Sequence, residues 1–212
     1  MNTNTSKGIY WTVGVMIVVV GLSIWAYHTS HTTSQTPAQV VADPSSLSGI
    51  QATDAPWIVE LANLRARLNA IGLPALSAEG TALHINQHLD IFINGKQVAV
   101  PAGIGINVAA QFISPIHVHD DTAVIHVESP TVQTFTLGQF FDIWGVKFTN
   151  QCIGSYCTTA TSTLRIYING ELHQGDPRTI ALAAHQEIVV VYGTAAQTPS
   201  VIPSSFAFPD GE

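Results

Sequence analysis

The sequence predicts a mainly β domain, antiparallel and either sandwich-like or an open barrel, with one N-terminal helix and one short internal helix, preceded by a single transmembrane helix. Three observations predict it. From Thr81 onward apolar residues recur with a period of two, the spacing of a half-buried strand. Two Asn-Gly pairs, Asn94-Gly95 and Asn169-Gly170, each follow an alternating run, as two-residue hairpin turns do. Residues 8–27 form 20 positions without a charge, enough for a helix of about 30 Å. A length of 212 residues allows one ordinary domain plus attachments, or at most two small ones.

Composition narrows the function. Seven Lys+Arg against fourteen Asp+Glu give a net charge of -7, which lacks the basic face that a nucleic-acid or anionic-membrane-surface binder needs. No P-loop is present, and Gly103-Ile104-Gly105 is too short to cradle a nucleotide; a turn explains it. Nine His exceed all Lys+Arg together, the one compositional oddity.

In chain order, residues 1–7 precede the apolar stretch. Tyr10 and Trp11 at one end of residues 8–27, and Trp25 and Tyr27 at the other, suit the two membrane interfaces. Lys7 precedes the stretch and no Lys or Arg follows it until Arg65, so the positive-inside bias puts the N-terminus in the cytoplasm and the remainder outside. The competing reading, a cleaved signal peptide, calls for a shorter apolar core and an A-x-A-like site; either way the rest of the chain is exported. Localisation is thus the cell membrane, single-pass, with an extracytoplasmic C-terminal domain. Residues 28–53, rich in Ser, Thr, Gln and Pro, read as a flexible linker, and His28 and His31 in it as interfacial or solvated.

Residues 54–72 read as an amphipathic helix. Asp54 is the N-cap candidate, Pro56 falls in the first turn, Gly72 with Pro74 ends it, and Trp57, Leu61, Leu64, Leu68 and Ile71 make one apolar stripe expected to dock on the domain, with dimerisation as the alternative. Residues 73–208 form the His-rich β domain. Within it Leu83, Ile85, Leu89, Ile91 and Ile93 mark the core face of one strand and His84, Asn86, His88 and Asp90 its polar face. Strands are expected at 97–100, 113–118, 123–128, 132–135, 164–168 and 171–173. A strand at 187–192 is near-continuously apolar and therefore central. Thr136 caps a short helix ending at Trp144. The Pro-containing tail from Thr194 carries Ile202, Phe206 and Phe208 onto the domain.

The segment from His117 to His126 reads as a tight hairpin. With Asp121-Thr122 as its loop, Asp120 faces Ala123, His119 faces Val124 and His117 faces His126, which puts His117, His119, His126 and Glu128 on one face. If this face meets that of His84, His88 and Asp90, five imidazoles and two carboxylates converge. Such a set suits a divalent transition metal, Cu(II) or Zn, because neutral imidazole and carboxylate are their ligands. A wet or pH-responsive His face and a catalytic cluster are the alternatives. Both Met lie within the first sixteen residues, which speaks against Met-assisted copper sites. No His-Glu-x-x-His or Gly-x-Ser-x-Gly is present, and Asp120-Asp121 lacks the following His of His-x-His-x-Asp-His hydrolases. His173 and His185 read as structural or solvated. Cys152 and Cys157, five positions apart in an exported chain, read as a disulfide rather than a metal pair.

Three blocks carry a resemblance over nearly the whole folded part: GTALHINQHLDIFINGKQVAVPAGIGI, ISPIHVHDDTAVIHVESP with FTLGQFFDIWG, and INGELHQGDPRTIALAAHQEIVVVYG with IPSSFAFPDG. In these the chain resembles a family of membrane-anchored, exported, His-rich β-domain proteins of bacteria and archaea. Members show His-x-His-x-His where this chain has His84, Asn86 and His88, so its middle position departs. The resemblance implies one domain type for the His-bearing blocks and no substrate.

The functional expectation is an extracytoplasmic, membrane-anchored binder of Cu(II) or Zn, in metal handling or delivery to a membrane enzyme. His84, His88, His117, His119 and His126 are the candidate ligands, with Asp90 and Glu128 as lesser ones. A non-catalytic assembly module of a membrane complex is the alternative, with a membrane-protein partner. An enzyme is less favoured, because no general base or open coordination position is legible.

Overall fold

In the computed structural model, residues 43–209 are described. The expected anchor at 8–27, its cytoplasmic flank and most of the linker lie outside them. Among the described residues no helix is long and apolar enough to cross a membrane.

The β domain is built on one mixed sheet. Strand β1 (Leu83–Ile93) is its axis, followed in the chain by β2 (Lys96–Val98), β3 (Ile106–Asn107), β4 (Phe112–Ile113), β5 (Ile116–His117) and β6 (Val124–Ser129). Then come β7 (Cys152–Ile153), β8 (Tyr156–Cys157), β9 (Thr163–Ile168), β10 (Glu171–Leu172) and β11 (Gln186–Gly193). The sheet order is β10-β9-β11-β1-β6-β5, with β2 also on β1; β3-β4 and β7-β8 are separate two-stranded ribbons. All pairings are antiparallel except β1 with β11. All eight residues of β11 are buried, as its near-continuous apolar run suggests, and the burial takes in Gln186 and Glu187 as well. Among the described residues a second large sheet is lacking, so the expected mainly β class holds while a sandwich partner does not form; short helices share the core instead.

Both Asn-Gly turns form as expected. Asn94 and Gly95 take φ of 52° and 79°, and Asn169 and Gly170 take 51° and 84°, the left-handed pair that matches strand twist. Cys152 and Cys157 face each other across β7-β8 and are joined as a disulfide. Residues 132–135, by contrast, form no strand. They lead into the helix that begins at Leu137, and the hydrogen bonding goes elsewhere: the Leu137 amide donates to Ile180 O and the Leu182 amide to Phe135 O, tying the segment to a loop rather than to a ladder.

Helix α1 (Leu64–Ala70) occupies only part of the 54–72 stretch expected to be helical. The apolar stripe is right, since Trp57, Leu64, Leu68 and Ile71 are all core residues. The backbone before Leu64 is claimed by tertiary partners. Gln51 donates to Ile58 O and accepts from its amide, Trp144 Nε1 also donates to Ile58 O, and Arg67 reaches Glu60 O. Carbonyls taken in this way are not available to a helical ladder. The end of the expected linker joins the fold as well. Leu47 is buried, and Gln51 bridges to Val146, with its amide on Gly145 O and its carbonyl taken by Lys147.

Helix α2 (Leu137–Trp144) is entirely buried and has the expected Thr136 cap, reciprocated by Gln139, with Gly145 in the left-handed conformation closing it. Phe140, Phe141 and Trp144 pack on one another, Trp144 meets Trp57 edge-on, and all belong to one core cluster with Leu89, Ile91 and Ile93 of β1. Arg178 braces this helix through two hydrogen bonds to Asp142, at 3.1 and 2.8 Å, and one to Phe148 O. With one face of β1 committed to this core, alternation leaves His84, Asn86, His88 and Asp90 on the other.

Candidate metal centre

Register brings the imidazoles together. Across β1 and β6, His84 lies opposite Glu128, Asn86 opposite His126, and His88 opposite Val124. Across β5 and β6, His117 lies opposite His126, as the hairpin register anticipated. Asn86, His126 and His117 therefore form a row over three adjacent strands, with His84 and Glu128 one step along. The His117 and His126 rings lie parallel with centroids 5.6 Å apart, close to the strand spacing.

The hairpin departs from expectation beyond this pair. His119 does not pair with Val124. The Val118 amide donates to Ile104 O, its carbonyl accepts from Gly103, and Leu89 donates to Ala123 O instead. The turn at 101–105 thus grips the outer edge of β5. Gly105, at φ 78°, is needed there, because a Cβ would stand 2.6 Å from Ile116 O and 3.1 Å from His117 Cβ. Asp120 closes the remaining loop by accepting from the Thr122 hydroxyl and amide, and these bonds, the hydroxyl's first, hold its carboxyl below the usual range. Freed from the ladder, His119 sets its ring edge-on to both His117 and His126, 4.6 Å from each centroid.

The hydrogen bond of His117 defines its tautomer. Its Nδ1 lies 2.9 Å from Ser114 O, and a carbonyl only accepts, so Nδ1 carries the proton and a neutral ring turns its Nε2 lone pair inward. That Nε2 is 3.1 Å from His119 Nε2. Burial pushes the His117 imidazole down to about 3. The Ser114 carbonyl offsets part of this, while His119, His126 and His84 add to it. Burial, then repulsion from His119 and His84, pushes His126 down to about 4. Both rings are consequently neutral at pH 7, the form that binds metal. Burial, then the neighbouring Glu79 charge, raises the Glu128 carboxyl.

Glu79 was not legible as part of the cluster. Its oxygen lies 3.5 Å from His119 Nε2. The loop reaches this place because Gly80 presses on β6: a Cβ there would sit 2.0 Å from the Ser129 carbonyl carbon. A carboxylate beside a glycine at the entry of the His-bearing strand was the available signal. Glu128 Oε1 lies 3.4 Å from His84 Nε2 and 3.7 Å from His126 Nδ1. His126 Nδ1 and Asn86 Oδ1 are buried without a hydrogen-bond partner. The floor of the cluster is buried, formed by Asn86, His117, His126 and Glu128. The rim is open, with the His84, His119 and Glu79 side chains 52 %, 40 % and 49 % exposed.

Not all expected residues converge. His88 and Asp90 lie farther along β1, about 6.7 and 13 Å past Asn86 at strand rise, and meet Glu187 of β11 instead. His88 Nδ1 and Glu187 Oε2 stand 2.8 Å apart, and the ring of Phe206 stacks on His88 at 3.9 Å and 5°. Asp90 accepts from Gln97 Nε2 at 2.8 Å. Neither Glu187 nor Phe206 was recognised as a neighbour of His88.

Chemically, the described residues offer three His/carboxylate groups able to hold a metal ion, each with donor atoms mutually within 4.8 Å: Glu79-His117-His119-Glu128, His84-His126-Glu128 and His88-Asp90-Glu187. Comparison with protein-family models, with curated proteins and with solved structures finds no match.

Proposed function

We propose that this protein is a membrane-anchored, extracytoplasmic binder of a divalent transition metal, Cu(II) or Zn, which acts in metal handling or delivery to a membrane enzyme. The observation that carries the reading is the His117–His119 pair. His117 is locked by Ser114 into the tautomer that presents Nε2, and 3.1 Å away stands a second imidazole nitrogen. Two nitrogens held about 2.1 Å from one tetrahedral ion lie about 3.4 Å apart, so the pair is set close to a coordination edge. A carbonyl that fixes the ring through its other nitrogen is the usual support of a metal-binding His.

The donor set favours these metals. It is all imidazole nitrogen and carboxylate oxygen, since both cysteines are committed to their disulfide. The exposed rim gives a cation a way in and a way out, as delivery requires. The membrane anchor rests on the charge-free stretch at 8–27, and membership of the His-rich exported family on the three sequence blocks above. Titration of the full-length, chelator-stripped chain with Cu(II) and Zn(II) tests the reading. Stoichiometric uptake is expected, and the His117→Ala/His119→Ala double variant loses it. Unchanged affinity in that variant overturns the proposal and leaves assembly of a membrane complex as the function to pursue.

A further inference from the structure

We infer that the cluster is a two-cation centre in which the Glu128 carboxylate bridges the ions. The inference rests on the metal-binding reading above and extends it from one ion to two. Six side chains meet here, more than the four ligands a tetrahedral ion takes. They divide into two sets, Glu79-His117-His119-Glu128 and His84-His126-Glu128, and Glu128 is the one residue common to both. A carboxylate has two oxygens and can give one to each ion.

Distances within the sets support the division. The first contains the 3.1 Å separation of His117 and His119 and the 3.5 Å separation of His119 and Glu79. The second contains 3.4 Å between His84 and Glu128 and 3.7 Å between His126 and Glu128. The three carboxylate–imidazole gaps exceed the 2.7–3.2 Å range of a hydrogen bond yet fall near the edge of about 3.4 Å that ligands share around one ion. A second observation marks the His84 side independently. His126 Nδ1 and Asn86 Oδ1, on directly paired residues, are buried without hydrogen-bond partners, and Asn86 is only 2 % exposed. Buried polar atoms without partners are rare in folded proteins and point to a ligand or ion.

The two positions differ in kind. The Glu79-His117-His119-Glu128 set supplies four donors, the number a tetrahedral ion takes. The His84-His126-Glu128 set supplies three, with exposed His84 at its mouth, and so leaves a place for an oxygen-donor ligand such as hydroxide or a carboxylate. Bridged pairs of this kind hold their ions about 3.5–4 Å apart.

Cu(II) titration of the full-length, chelator-stripped protein, followed by electron paramagnetic resonance, tests the proposal. Two equivalents are expected to bind, and the second to extinguish the isolated-ion signal and produce a half-field transition from spin coupling. His84→Ala changes an exposed side chain and leaves the four-donor set intact. It is expected to keep one equivalent with an uncoupled signal and to weaken the second by at least tenfold. Uptake of one equivalent by the wild type overturns the two-cation centre and spares the metal-binding reading. So does a second equivalent that gives an uncoupled signal, since it then sits elsewhere, as at His88-Asp90-Glu187. No uptake at all overturns both.

Discussion

Strand β1 carries two polar clusters on one face, of the same residue types, and they are finished in opposite ways. Around His88 most of the donor groups are engaged within the protein, although Glu187 Oε1 is buried without a partner. Its Nδ1 pairs with Glu187 at 2.8 Å, Asp90 is held by Gln97, and Phe206 covers the ring. Around His84, His119 and His126 the same chemistry is left more open, with carboxylates 3.4–3.7 Å from imidazoles, a rim exposed to solvent, and His117 Nε2 meeting only a second imidazole. The comparison teaches that His and acidic residues on one strand face do not define a site. How the neighbouring carboxylates and rings engage them does.

The largest expected effect breaks the comparison outright if it fails. His117→Ala should weaken Zn(II) or Cu(II) binding by at least about 100-fold in chelator competition, the upper end of what the loss of a supporting metal contact costs, whereas His88→Ala should leave binding unchanged. Equal losses would mean that the closed cluster is not closed.

Stability should show the reverse order. His88→Ala leaves a buried Glu187 carboxyl without its partner and should cost about 1–3 kcal/mol in denaturant unfolding. His119→Ala, on the exposed rim, should fall within about 0.5 kcal/mol of wild type. A third prediction concerns pH. His117 and His126 titrate near 3 and 4 in the folded protein, against 6.5 for an ordinary imidazole. Below pH 6.5 the unfolded chain therefore binds protons that the folded one refuses. Stability of the chelator-treated protein should fall as pH drops from about 6.5 toward 4, and His117→Gln should flatten that slope when thermal melts are compared across the range.

The smallest effect sharpens the account of the cover. Phe206→Ala removes one stacked ring and should cost about 0.5–1.5 kcal/mol. Its signature is faster hydrogen exchange at the C-terminal tail with metal affinity untouched; a change in affinity would tie the tail to the open cluster.

Much of the architecture is readable residue by residue. The alternation of β1, the two Asn-Gly turns, the Thr136 cap and the Cys152–Cys157 loop are local devices, and each folds as its sequence suggests. The opposition of His117 and His126 forms as the hairpin register suggests, although the loop between them is longer than the expected tight turn. The helix at 54–72 is only half legible. Its stripe does predict burial, but side chains of Gln51, Arg67 and Trp144 capture the backbone carbonyls that a longer helix would use. For the site, Glu79 has only the adjacent Gly80 as a local signal, and Glu187 has none: the first is positioned by the tight approach of Gly80, the second by a parallel pairing 99 residues away from its partner.

By itself the sequence determined that a β domain exists, which residues turn to its core, and that histidines crowd the face left over. Periodicity and turn conformation depend on neighbouring residues, and neighbours are what a sequence displays. Only the tertiary structure decided which histidines share a cluster and which are consumed by a hydrogen bond. That outcome depends on the register between β1, β5, β6 and β11 and on how closely loops approach them, and a displacement of one residue would carry every ring to the opposite face.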